Sequence, residues 1–147
     1  MADTLAQKLA HQWVVKEYLP KQFSQQFEER LVHLKWGGTF KFDAVSEDGS
    51  VVANVSTSAA KTAKGKQATG NFHKIHSDAL YLLHLEAATT RLLIFTEKDM
   101  TEHFLAEQRS GRFPPEIDLI YVELPTNLGN QVKFARSLAS QEVTPRK

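Results

Sequence analysis

Lys41, Asp43, Asn54 and Ser56 are hydrophilic side chains set in the middle of two strand-like runs of the stretch 39–58, TFKFDAVSEDGSVVANVSTS, where apolar residues are favoured. An ammonium, a carboxylate, an amide and a hydroxyl on one side of a ribbon either satisfy one another as a hydrogen-bond network or serve chemistry. A second group lies downstream. Between Lys61 and His76 every charge has one sign, with Lys61, Lys64, Lys66 and Lys74 joined by His73 and His76 and no acid before Asp78. Such a patch beside a helix N-terminus can receive phosphate through ammonium and backbone N–H groups together, and the same lysines also suit a plain solvated loop. His73 and His76, three apart with Asp78 near, have a spacing at which two transition-metal ligands meet on a helix face, but no third ligand is specified.

The quartet depends on a hairpin. Asp48-Gly49 between runs of alternating hydrophobicity is a strong turn signal, and folding about it sets Val45 opposite Val52, Ala44 opposite Ala53, Asp43 opposite Asn54 and Lys41 opposite Ser56. Lys41, Asp43, Asn54 and Ser56 then share one face. Phe40, Phe42, Ala44, Ala53 and Val55 share the other, as a single core face.

Ahead of the hairpin, Thr4 can cap a helix whose Leu5, Leu9 and Trp13 recur every four residues, with Pro20 as its stop or bend. Phe23, Phe27, Leu31 and Leu34 form a second helical stripe that Gly37-Gly38 ends. After it, residues 59–70 read as an exposed loop and Asn71 as the cap of a helix through Phe72, Ile75, Ala79, Leu82 and Leu83. RLLIF, residues 91–95, suits a strand covered on both faces; Asp99 opens a helix closed by Gly111; IDLIYVEL, residues 117–124, is the last strand. The expectation is one domain over 1–147: N-terminal helices to 36, an α/β core over 37–125 built on a mixed sheet flanked by helices, and a tail or short helix over 126–147.

Composition narrows the function classes. With 147 residues, 41% of them apolar and 24% charged, the chain has the make-up of an ordinary globular protein. A net charge of +1 leaves only local attraction for nucleic acid, and the lack of cysteine excludes disulfide and thiolate chemistry. With no membrane-length apolar run and no signal pattern, the expected location is the cytoplasm. Walker, nucleophile-elbow and metalloprotease motifs are absent.

The order of helix, hairpin, helix and strand, with KFDAVSEDGSVVANVS at its centre, resembles the PD-(D/E)XK nuclease superfamily, the restriction-endonuclease-like fold. In that family a carboxylate-bearing helix leads into a hairpin whose first strand supplies Asp and whose second supplies Glu-X-Lys. The resemblance covers roughly residues 23–124, with Asp43 at the Asp position and Glu28 in the place of the helix carboxylate. It implies phosphodiester hydrolysis with a carboxylate-held Mg²⁺, for which Asp43 and Glu28 would be the ligands.

Asn54 and Ser56 stand where the family has Glu and Lys. A neutral amide weakens a Mg²⁺ site, and loss of the Lys removes a positive charge from the attacking water and scissile phosphate. The leading expectation is therefore a catalytically inactive or impaired relative, without a cofactor, that holds a DNA or RNA backbone through Lys61, Lys64, Lys66, His73 and Lys74. A scaffold or protein-interaction subunit, self-associating through Leu5, Leu9 and Trp13, is the competitor. A working nuclease would need Lys41, or a lysine of the loop, in the missing lysine's role.

Overall fold

The apolar run Leu92–Phe95 is buried on both faces of a five-stranded sheet as one of its interior strands, with helices laid down on either side of it. The computed structural model describes residues 5–61, 65–88 and 90–143. Thr4, Lys64 and the terminal TPRK lie outside the described residues. In chain order the elements are α1 (Leu5–Trp13), a π-helical turn (Val14–Tyr18), α2 (Leu19–Phe23), β1 (Phe27–His33), β2 (Thr39–Ser46), β3 (Val51–Ser56), α3 (Thr69–Leu83), β4 (Thr90–Phe95), α4 (Lys98–Arg109), β5 (Asp118–Tyr121) and α5 (Thr126–Val143).

The strands are ordered β1-β2-β3-β4-β5. The first three form an antiparallel meander, and α3 and α4 are crossovers that make β3, β4 and β5 parallel. Helices α3 and α4 cover one face with Phe72, Ile75, Leu82, Met100 and Phe104. The other face is covered by α1, the π turn and α5, through Ala10, Val14, Val15 and Val132. The α/β class and the mixed sheet flanked by helices are as the sequence leads one to expect.

Five local expectations are corrected. The second helix is absent: Ser24, left-handed at φ 56°, ends α2 by donating its N–H to the Pro20 carbonyl, and residues 27–33 form β1 instead. Pairing with β2 overrides a helix-like spacing there, and Leu31, a member of the supposed stripe, is 62% exposed. Pro20 does not stop the first helix either. The Leu19 N–H reaches back five residues to the Val14 carbonyl, and the π turn so formed carries the helix on through the proline. Asn71 is no cap, since α3 begins at Thr69 and the Asn71 amide instead donates to the Ala59 carbonyl. The tail forms the long helix α5.

The single core face is the fifth. Against β1, the step from Glu28 to Arg30 is matched by a step from Val45 to Phe42, so β2 holds one extra residue there. Alternation resets across this bulge. Phe42 and Val45 both face α3 and α4, whereas Ala44, Ala53 and Val55 face α1 and α5.

The hairpin turn itself is as read, with Val45 paired to Val52 and Ala44 to Ala53. Gly49 sits at φ 76°, its N–H donating to the Ser46 carbonyl, while Asp48 accepts hydrogen bonds from the Ser50 N–H and from both the Ser50 and Ser46 hydroxyls. Those donors, the Ser50 N–H foremost, pull the Asp48 pKa down from 3.8 to about 2. Gly49→Ala is expected to lower stability by about 1 to 2 kcal/mol in urea unfolding, because alanine resists the left-handed region. By NMR titration the Asp48 carboxyl should protonate near pH 2; its stabilising contribution is complete above the unfolded value of 3.8 and fades as pH falls through about 2.

Candidate functional site

Beyond Ala44 and Ala53 the backbone ladder between β2 and β3 ends, and side chains take over its hydrogen bonds. The Asp43 N–H donates to Asn54 Oδ1 at 2.9 Å, and the Val55 N–H donates to Asp43 Oδ2 at 2.8 Å. Each strand lends the other a side-chain acceptor. The strands can therefore separate without leaving these N–H groups unsatisfied, which in a buried setting would cost about 1 to 3 kcal/mol each.

Groups from both helical layers meet at this junction. From α1, His11 Nε2 lies 3.4 Å from Asp43 Oδ1. From α3, the buried Asp78 hydrogen-bonds Asn54 and is held at 2.9 Å by Lys74 Nζ. Burial pushes the Asp43 carboxyl up, but the hydrogen bonds from His11 and the Val55 N–H outweigh it and leave the pKa lowered. The same bond to Asp43 raises His11 against its own desolvation, helped by the negative charge of Glu29 and opposed by Lys74. Asp78 is raised, by burial first, with Lys74 opposing.

Of the expected quartet, Asp43 and Asn54 come together. Ser56 is buried farther along β3, its hydroxyl accepting the Ser58 N–H, and its carbonyl receives Thr96 from the next strand. Lys41 is not opposite Ser56: with the ladder ended, it pairs with Leu31 of β1 and its Nζ lies 3.8 Å from Glu29. Glu28 is on a strand rather than a helix and engages Arg30 at 3.1 Å on the surface. Its neighbour Glu29 is the acid whose charge reaches His11. His11, Glu29 and Asp78 are the members that sequence reasoning passed over. Alternation along β1 could have separated Glu29 from Glu28, had residues 27–33 been read as a strand.

The basic group is distributed along α3 and the loop before it. Lys61 and Lys66 are exposed, with residue 61 bridged to 67 by backbone pairing, and His73 is exposed on the first half of α3. Lys74 is committed to Asp78. His76 is engaged elsewhere, its Nδ1 bonded to the Phe72 carbonyl and its ring edge-on to Phe104 and Phe113, so it does not join His73 and Asp78 about a metal. Among the described residues no three His, Cys, Asp or Glu side chains gather as a metal-binding group.

A hard divalent cation does not fit the junction. One oxygen of Asp43 serves the Val55 N–H and the other faces His11, Asn54 Oδ1 is used by the Asp43 N–H, and Glu28 is turned away. No buried side-chain nitrogen or oxygen among the described residues lacks a partner. What the junction does chemically is fasten α1 and α3 to the point where the strands part. In comparisons with protein-family models, curated proteins and solved structures, the chain finds no match.

Asp43→Ala strips the acceptor from the Val55 N–H and is expected to cost about 1 to 3 kcal/mol in urea unfolding. The pH profile of stability carries two signs. Raised on folding, His11 stabilises below its unfolded pKa of 6.5 and ceases to do so as pH rises through its higher folded value; Asp43, lowered, stabilises above 3.8 and ceases as pH falls through its lower folded value. Asp43→Asn keeps an oxygen for Val55 but not the charge, so unfolding midpoints across pH should flatten on the alkaline side, where His11 loses its partner.

Proposed function

We propose that this chain is a non-catalytic, restriction-endonuclease-like domain that holds a nucleic-acid backbone on the surface made by residues 59–61, residues 65–68 and the first half of α3. The order of elements supports the kinship: a helix, a three-stranded meander, a crossover helix and a parallel strand, with Asp43 and Asn54 facing each other where the two hairpin strands separate. The closed hydrogen bonding of that pair supports the absence of catalysis, since neither side chain keeps an oxygen for a cation. The observation that carries the binding half is one of charge. From Lys61 to Ser77 the chain has no acid, and Asp78, the acid of α3, is buried against Lys74, so the exposed charge that these segments contribute is cationic, with Asp99 of α4 at the edge accepting the Ala60 N–H. A cytoplasmic location goes with this reading; no helix among the described residues is long and apolar enough to cross a membrane.

The test is binding of a labelled oligonucleotide at graded salt, followed by anisotropy. Lys61→Glu with Lys66→Glu is expected to weaken binding uniformly across sequences and to lower the salt slope by about 1 for each phosphate that is no longer neutralised. Salt-insensitive or absent binding rejects the reading. Cleavage of DNA or RNA with Mg²⁺ or Mn²⁺ that Asp43→Ala abolishes would overturn its non-catalytic half in favour of a working nuclease.

A second reading, an interaction subunit, is favoured by a separate surface. Where α1 meets α5, Leu5 is 73% and Phe134 66% exposed, Leu9 and Leu138 are also exposed, and Leu9, Trp13, Pro125 and Leu128 line an open groove of about 700 Å³. The exposed stripe is Leu5 and Leu9, whereas the neighbouring Ala10 and Val14 are the buried positions of the same helix. Under this reading light scattering gives a dimer or larger species that Phe134→Glu dissociates, and a monomer at all concentrations counts against it.

A further inference from the structure

A file of rings runs from the core to the surface beside α3. Phe42, fully buried, meets Phe40 edge-on at 4.9 Å; Phe40 stacks on Tyr81 at 4.0 Å; Tyr81 meets Trp36 edge-on at 6.3 Å; and Trp36 packs on His84 at 3.9 Å with the rings inclined by 31°. The file ends in an indole that is 57% exposed. Its backbone is not a loose loop. The Lys35 N–H donates to the His84 carbonyl at 2.7 Å, the Glu86 N–H donates to the His33 carbonyl, and Leu34 bridges Leu85, so the β1–β2 turn is fastened to the C-terminal end of α3.

An aromatic ring buttressed by other rings and left open to water is a preorganised stacking surface, because little side-chain freedom remains to be lost when a flat ligand lands on it. The charge beside it favours an anion over a cationic peptide. Lys35 flanks Trp36, and the exposed residues along α3 include His73, Lys74, Ser77 and Leu80 but no acid; Glu86 follows beyond the helix. Those 15 residues make α3 about 22 Å long, with the lysines of the preceding loop at one end and Trp36 at the other.

We infer that Trp36 is the stacking platform for an unpaired nucleobase, so that the nucleic acid held by the basic surface is single-stranded and follows α3 from Lys66 to Trp36. This rests on the backbone-binding reading above and deepens it by naming the strand class. Unpaired bases offer their faces to an aromatic ring whatever the sequence, whereas in a duplex those faces are already stacked.

The experiment uses the full chain carrying Trp13→Phe, which leaves Trp36 as the sole tryptophan, titrated with oligothymidylate and with a duplex of equal length at several salt concentrations. The expected result is quenching of Trp36 emission by the single strand and tighter binding of it than of the duplex. With a fluorescein-labelled strand, Trp36→Ala should weaken binding roughly 5- to 150-fold without altering the salt slope, and Trp36→Phe should recover most of that affinity. Salt-dependent binding with unchanged Trp36 emission and unaltered affinity in Trp36→Ala overturns the inference while the backbone reading stands. Absence of salt-dependent binding to either form overturns both.

Discussion

The exchange between Asp43 and Asn54 is the constraint on which the sheet is built. Backbone pairing near the turn holds β2 and β3 together as far as Ala44 and Ala53, and from there each strand answers the other's N–H with a side-chain oxygen. A strand pair that opened without this substitution would bury unmet donors in a low-dielectric interior. With it, the opening becomes a polar seam through the sheet, reached by His11 from one helical layer and by Asp78 from the other. Two layers that otherwise meet the sheet mainly through apolar side chains are thereby fixed relative to the same pair of residues.

The bulge in β2 complements the seam. By resetting alternation it lets Phe42 and Val45 fill the side of α3 and α4 while Ala44, small enough to lie beneath the N-terminal helix, faces Ala10 and Val14. Of these β2 residues the large Phe42 thus packs with Phe72 of α3 and Phe104 of α4, while the small Ala44 lies among Ala10 and Val14, which leaves room for close packing of the N-terminal helix. The same displacement places Asp43 where its carboxylate can span the gap between strands.

Much of this was legible in the chain, for reasons that separate cleanly. The turn at Asp48-Gly49 and the pairs nearest it are dictated by local chemistry, β4 by a short continuous apolar run and the apolar stripe of α3 by helical periodicity. β1 was hidden because Phe27-Glu-Glu-Arg-Leu is made largely of residues that favour helices, and only its pairing with β2, more distant in the chain, selects the strand. Misreading it also selected the wrong glutamate, since Glu28 and Glu29 point to opposite sides of a strand. His11 left no mark in an apolar stripe. It lies next to Ala10 on the buried side, and its importance comes from Asp43, 32 positions later, which no spacing rule connects to it. Nor could spacing join Trp36 to His84 and Tyr81, whose meeting is set by a turn docking on the end of a helix.

The π turn at Val14–Tyr18 fixes more than the passage through Pro20. A turn of this kind holds one residue more than a regular one, and each residue of an α-helix advances the winding by about 100°. Everything before Val14 is therefore rotated in phase by that amount relative to α2. The orientation that brings His11 over the sheet and leaves Leu5 facing water is set by this surplus residue, so the helix's azimuth is encoded in its irregularity rather than in the residues that do the touching.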